Sequence, residues 1–291
     1  MKEYLDRYLD KELDELLEYM GAVLIVGPKW CGKTTTAEQH AESVIQLQDP
    51  TYSKNYLKLA DVDPLSLLEG KKPRLIDEWQ MAPELWDAVR YSVDESDDDG
   101  LYILTGSTVV DDTKINHSGA GRIHRLLMRP MSLYESKESN GKISLMDLFD
   151  NPDLNINGIT SDLTVPDLIF AMCRGGWPES LNKKTRKQQL MIARSYLNIL
   201  CEIDTTTIDG VKRNPDKVKS LLKSYSRNIS SFTKNTMIIA DIQERHGSMS
   251  ETTYYDYINV LKQLFVIDEI KAWGPKIRSK TAMRNSSKKN F

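Results

Sequence analysis

Five apolar residues, Ala22-Val23-Leu24-Ile25-Val26, run straight into Gly27-Pro28-Lys29-Trp30-Cys31-Gly32-Lys33-Thr34. An unbroken apolar run bounded by glycines reads as a strand buried on both faces. The eight residues after it fit GxxxxGK[ST], and each residue type has a physical reason to be there. Glycines let backbone N–H groups turn inward around an anion. A helix starting near Lys33 aims its positive end at the same place. Lys33 supplies a charge to β- and γ-phosphates, and Thr34 a hydroxyl to Mg²⁺. Gly27, Pro28, Lys29, Trp30, Cys31, Gly32, Lys33, Thr34 and Thr35 are the expected nucleotide cradle. The rival reading, a glycine-rich turn, leaves Lys33 without a purpose. A thiol at a helix N-terminus can be activated, but an inert small residue is the favoured reading of Cys31.

Around this loop the pattern alternates. Leu5, Leu9, Leu13, Leu16, Leu17 and Met20 form one helical stripe within residues 1–20. A helix is expected from Lys33 to about Leu47. Strands are expected at Tyr56–Leu59, Arg74–Ile76, Leu101–Leu104 and Ile123–Met128, with a helix from Pro83 to about Val93. Strands alternating with helices imply a mostly parallel sheet. Residues 136–165 lose regularity and read as a loop-rich insertion. Beyond about 181 the chain becomes helical: Gln188–Glu202, Pro215–Asn228, Thr236–Arg245 and Ser250–Leu264 are expected helices. Phe265–Trp273 looks strand-like.

Arg74-Leu75-Ile76-Asp77-Glu78 is the partner acidic motif. Asp77 at a strand end would hold Mg²⁺ through water, and Glu78 would orient and polarise the attacking water. A solvated strand end is the bland alternative, weakened by the phosphate loop upstream. Thr105 or Ser107, ending the Leu101 strand, could reach the γ-phosphate. In the turn His117-Ser118-Gly119-Ala120-Gly121-Arg122, Arg122 is the candidate arginine finger, in cis or toward a neighbouring subunit. Arg125 and Arg129 are its substitutes, and His117 and His124 read as structural. A finger acting in trans would call for a homo-oligomer.

The 291-residue chain has a net charge of −3 that hides a split. Residues 1–180 hold 18 basic and 32 acidic residues, and residues 181–291 hold 21 and 10. An acidic front and a basic rear suggest modules with different partners, DNA being the candidate for the rear. Mutual attraction of the halves is the alternative. Thr236–Arg245 and Ser250–Leu264 make a helix-turn-helix candidate. The polar, aromatic start of its second helix, Ser250 to Tyr257, suits a groove or phosphate contact. Ile258, Leu261, Leu264 and Phe265 would face the core. The following strand could begin a wing, and Lys276, Arg278, Lys280, Arg284, Lys288 and Lys289 would extend the positive field. Three distant cysteines exclude a disulfide framework and suit a reduced cytoplasm. No apolar run is long enough to span a membrane, and no zinc-type spacing occurs.

The segments GPKWCGKTTTA (27–37), RLIDEWQ (74–80), ILTGS (103–107), HSGAGRIHRLLMRPMSLYES (117–136), CRGGWPE (173–179), RSYLNILCEIDTT (194–206) and ADIQERHGSMSETTYYDYINVLKQLFVIDEIKAW (240–273) together resemble an uncharacterised prokaryotic group of AAA+-like P-loop ATPases. In that group the P-loop domain is followed by a winged helix and a C-terminal domain of unknown function. The resemblance runs through nearly the whole chain. It implies an α/β P-loop NTPase fold, a parallel sheet of order 5-1-4-3-2 flanked by helices, then a mainly α winged-helix domain. It assigns Gly27, Lys33 and Thr34 to nucleotide, Asp77 and Glu78 to metal and water, Ser107 to a sensor role and Arg122 to a finger. It also favours adenine over guanine; no NKxD run is present. Relatives continue past Asn290 and Phe291 into a domain that looks like a restriction-endonuclease fold, so a truncated chain is expected here. The expected organisation is an N-terminal helix (1–20), an ATPase domain (21–180), a winged-helix domain (181–275) and a basic tail (276–291). The function expected is slow, Mg²⁺-dependent ATP hydrolysis coupled to the basic module, with a nucleotide-gated DNA switch as alternative. A small-molecule kinase fits poorly, since no acceptor site follows the loop.

Overall fold

The computed structural model describes residues 4–107 and 119–270, and the backbone of 288–290. The chain divides into two compact units, residues 1–194 and 195–291. The first unit opens with helix α1 (Tyr8–Leu17) and strand β1 (Ala22–Val26), then α2 (Lys33–His40), β2 (Ser43–Gln46) and α3 (Ser53–Val62). Strand β3 (Arg74–Asp77), helix α4 (Glu84–Asp94), β4 (Tyr102–Gly106) and β5 (Ile123–Leu127) complete the sheet region. Short helices α5 (Leu145–Asp150), α6 (Val165–Arg174) and α7 (Pro178–Leu181) follow, and α8 (Arg186–Ile199) leads into the second unit.

All five strands pair in parallel in the order β2-β3-β4-β1-β5, which is the expected order. Alternation along the strands sorts the core into two layers, because successive side chains point to opposite faces. Ala22, Leu24, Ile45, Ile76, Tyr102 and Leu104 pack with Leu67, Leu85, Trp86 and Val89 on one side. Val23, Ile25, Leu75, Ile103 and Leu126 pack with Leu9, Leu13, Leu16 and Ala37 on the other. Helices therefore cover both faces, and the central strand β1 can be apolar throughout.

One strand lies elsewhere than expected. Ser43–Gln46 forms edge strand β2, where the sequence suggested the end of a helix, and Tyr56–Leu59 lies inside α3. In β2 only Ile45 is buried, so the alternation rests on one residue. In α3, Tyr56, Leu57 and Ala60 fall on one helical face packed against the core.

In the second unit a π-helical turn (Leu200–Asp204) and the single turn α9 (Thr205–Thr207) precede α10 (Pro215–Arg227), α11 (Asn235–His246) and α12 (Glu251–Gln263). Asn214 caps α10, and Ser250 caps α12 by accepting from the Thr253 amide. Strand β6 (Asp268–Ile270) pairs antiparallel with β7 (Lys288–Asn290). Val218, Leu221, Leu222, Tyr225, Ile238, Ile242, Ile258 and Leu261 are buried. The expected tail cations Lys276, Arg278, Lys280 and Arg284, with Trp273, lie outside the described residues, as do the side chains of Lys288 and Lys289.

Leu13 is fully buried where α1 covers the sheet. Leu13→Ala should destabilise the first unit by about 2–5 kcal/mol, read as a lower urea midpoint; an unchanged midpoint would show that α1 is not part of that core.

Candidate functional site

The strand order sets the site. The chain leaves β1 for the far edge and returns through β3 and β4, so β4 lies between β3 and β1. The carboxyl ends of these three strands share one edge, the place where open α/β sheets bind ligands. The phosphate-loop motif follows β1, Asp77 and Glu78 end β3, and Thr105 and Ser107 end β4.

Backbone conformation makes the loop. Gly27 has φ 155°, and a Cβ there would lie 2.1 Å from the Met128 carbonyl oxygen. Gly32, with φ 105°, starts α2 without a side-chain cap, and the first turn of a helix is where backbone amides favour an anion. Trp30 holds φ 66° at the loop tip and is 46% exposed. Lys33 is buried, its Nζ donating to the carbonyls of Gly27 (3.0 Å) and Pro28 (2.9 Å). Pro28 is buried, Lys29 half-buried and Thr35 exposed.

Asp77 is 1% exposed, and its Oδ1 accepts from Thr34 Oγ1 (2.7 Å) and Thr105 Oγ1 (2.5 Å). The Glu78 amide donates to Thr105 Oγ1 (3.2 Å). Glu78 itself sits in the left-handed region with φ 56°, an uncommon conformation that turns its side chain off the strand line. Its Oε2 accepts from the Gln80 side-chain Nε2 and from Ser107 Oγ (3.4 Å). Lys33, Thr34, Asp77, Glu78 and Ser107 are thus gathered at one sheet edge. Thr34 and Asp77 offer a hydroxyl and a carboxylate, the oxygen donors that suit Mg²⁺.

Arg122 is not gathered there. Its carbonyl accepts from the Ala22 amide, at the opposite end of β1 from the loop. Its Nε lies 2.6 Å from Asp94 Oδ1, and that hydrogen bond holds the Asp94 carboxyl below its ordinary range. The strand length separates Arg122 from the loop, which corrects its reading as a finger in cis. Arg125 lies within β5, 5.7 Å from the Trp86 ring. Arg129 follows β5 at the loop edge, where the Met128 amide donates to Val26. His124 is exposed on β5, and His117 lies outside the described residues.

Arg7 and Trp177 complete the surroundings without any motif to announce them. Arg7 is 7% exposed and donates from Nη1 to the Cys31 carbonyl (2.9 Å), from Nη2 to the Arg129 carbonyl (2.7 Å) and from Nε to Glu135 (2.9 Å). Burial raises the Glu135 pKa, but the amides of Ser132 and Tyr8, with Arg7, outweigh it and hold the carboxyl below its ordinary value. Trp177 Nε1 donates to the Lys29 carbonyl (3.3 Å). The glycine before Trp177 permits a close approach: the Gly176 carbonyl accepts from the Met131 amide (2.7 Å).

Residues 20–137 match the family model described as an AAA domain. The sheet-bearing part of the chain is thus similar to that family. Residues 165–291 match a domain of unknown function, DUF8612. Among solved structures, a Walker-type ATPase of Pyrococcus abyssi is similar, with 16% identity, 91% of each chain covered and a TM-score of 0.55. A STAND protein with a tetratricopeptide-repeat sensor from Pyrococcus horikoshii aligns over 90% of this chain and 46% of its own, at 14% identity and a TM-score of 0.36. The first likeness shows a shared fold. The comparison with curated proteins gives no match.

Cys31 is fully buried in the glycine-rich loop, and burial pushes its thiol pKa up against the smaller pull of Lys33 and Arg7. Burial likewise raises Cys201 to about 11, while Cys173 is exposed. Iodoacetamide at about pH 8 should therefore modify Cys173 and spare Cys31 and Cys201; peptide mass mapping that finds Cys31 labelled first would contradict an inert thiol. Glu135, with its lowered pKa, stabilises the fold above the unfolded carboxyl value of about 4.3 and loses that contribution as pH falls through the folded value. Glu135→Gln should lower the melting temperature at neutral pH and flatten its decline on acidification.

Proposed function

We propose that the sheet-bearing part of the chain binds ATP with Mg²⁺ and hydrolyses it slowly. The observation that carries this is the 2.7 Å hydrogen bond from Thr34 to Asp77, joining residues 43 positions apart at one sheet edge. In this reading the first amides of α2 and the Lys33 ammonium bind the β- and γ-phosphates. To do so Lys33 exchanges the carbonyls of Gly27 and Pro28 for phosphate oxygens. Thr34 and Asp77 would hold Mg²⁺, which neutralises phosphate charge when bound. Glu78 orients a water and accepts its proton as the water oxygen attacks the γ-phosphorus, while the bond from that phosphorus to the β–γ bridging oxygen breaks and ADP leaves. Ser107 and Gln80 set the Glu78 carboxylate, and their hold on it is the reason slow turnover is expected. Arg129, at the loop edge, replaces Arg122 as the candidate that stabilises developing charge.

A second reading concerns the basic unit: nucleic-acid binding that depends on nucleotide state. It is favoured by the charge split and by α10, α11 and α12 followed by the β6–β7 pair, an element order that supports a winged helix. Among the described residues, no helix is long and apolar enough to cross a membrane.

ATP turnover and ATP binding separate the roles. Lys33→Ala should weaken binding by about tenfold or more, as expected for removal of a charge-assisted hydrogen bond worth roughly 1.5–3 kcal/mol. Glu78→Gln should keep binding and lose about 100- to 10,000-fold in turnover. Arg129→Ala should also bind while turning over more slowly. Equal turnover in wild type, Lys33→Ala and Glu78→Gln would reject the site.

A further inference from the structure

The start of α12 is not built to meet nucleic acid. Tyr254 and Tyr257 are buried, with the Tyr254 hydroxyl donating to Asn235 and the Tyr257 hydroxyl accepting from the Asn214 amide. Asp256 is committed to Arg213, at 2.8 Å. Glu251, Thr252, Tyr255, Asp256 and Asn259 remain exposed, a face with two carboxylates and no cation. A phosphate backbone would be repelled there.

A different face carries the right chemistry. Ser220, Lys223, Ser224 and Arg227 of α10 line a small cleft with Asp241 and Arg245 of α11. The residues from α10 recur at helical spacing, opposite the buried Val218, Leu221, Leu222 and Tyr225. The two helices run antiparallel along this seam: Ser224 Oγ donates to Asp241 Oδ2 at 2.5 Å, and Ser220 Oγ lies 2.6 Å from His246 Nε2. Several other cations of this unit are matched with carboxylates: Arg213 with Asp209 and Asp256, Lys219 with Glu202, Lys262 with Glu269. Among the described residues, Lys223, Arg227 and Arg245 have no such match; Asp241, the carboxylate in the cleft, is bonded to Ser224. Three cations against one carboxylate leave the seam positive. From Ser220 to Arg227 it extends about 10 Å along α10, longer than a single phosphate group.

We propose that the α10–α11 seam binds the phosphodiester backbone of nucleic acid, with Lys223, Arg227 and Arg245 contacting phosphates. The proposal rests on the nucleic-acid reading of the basic unit and moves its contact surface from α12 to α10 and α11. It needs neither ATP binding nor hydrolysis.

Fluorescence anisotropy of the full chain on labelled duplex DNA, across a range of salt, tests it. Wild type should bind at low salt and weaken as salt rises. The triple variant Lys223→Gln/Arg227→Gln/Arg245→Gln should lower the slope of log K against log salt by about 2–3, at about 0.9 for each phosphate left unneutralised. A control with the same charge loss elsewhere, Lys184→Gln/Lys187→Gln/Lys212→Gln, should change that slope by less than about 0.9. Asp241→Asn should bind more tightly than wild type, a gain that misfolding cannot mimic. Wild-type binding with the seam and control variants indistinguishable would overturn the seam alone. No wild-type binding at low salt would overturn the nucleic-acid reading and the seam with it. Displacement of the duplex by inorganic phosphate, beyond its contribution to ionic strength, would mean the seam holds a free anion and would overturn a polymer ligand.

Discussion

The Asp77 carboxylate is the point on which the carboxyl edge of the parallel sheet depends. It is buried, and a buried carboxylate is tolerable only when its lone pairs are satisfied. Thr34, from the helix after β1, and Thr105, from β4, both donate to one of its oxygens. Three segments that are distant in sequence are thereby drawn together. The strand order makes this feasible, because β4 inserted between β3 and β1 brings a third strand end to the pair. Thr105 also accepts from the Glu78 amide, so the hydroxyl that satisfies Asp77 also helps fix the backbone of its neighbour.

Much of this edge was legible in the sequence, because its elements carry strong local signals. A five-residue apolar run, a glycine-bounded loop and acids at a strand end each have few alternative explanations. The second strand did not show itself. An edge strand with one covered face needs only one buried residue, Ile45, and Ser43–Gln46 then resembles the polar end of the preceding helix. Arg122 was misleading for a related reason. Glycines around it announced an exposed turn, but Arg122 immediately precedes β5, and the turn before a parallel strand lies at the amino edge of the sheet. Strand direction settles that, and it puts Arg122 with Asp94 and Arg129 with the loop. Arg7 was illegible because two of its partners are carbonyl groups, which every residue possesses, and the third, Glu135, lies far along the chain.

The second unit shows the same limit in another form. Tyr254 and Tyr257 looked like a presented aromatic surface because the start of α12 is polar around them. Three-dimensional packing turns both rings inward and gives their hydroxyls partners from the segments before α10 and at the start of α11. Charge pairing follows the same geometry. Arg213 lies far from Asp256 in sequence, yet its guanidinium spans Asp209 and Asp256 and leaves neither free for a ligand.

The Arg7 guanidinium has a consequence for how the phosphate loop moves. It grips the carbonyl of Cys31 inside the loop and that of Arg129 beyond β5, while Glu135 holds it in place and also accepts from the Tyr8 amide at the start of α1. The loop's resting shape is therefore shared property of three stretches of chain. Any event that draws the Cys31 carbonyl away must either stretch this bracket or carry the first turn of α1 with it. The opening helix, remote from the reacting atoms, is in this way mechanically geared to the anion cradle.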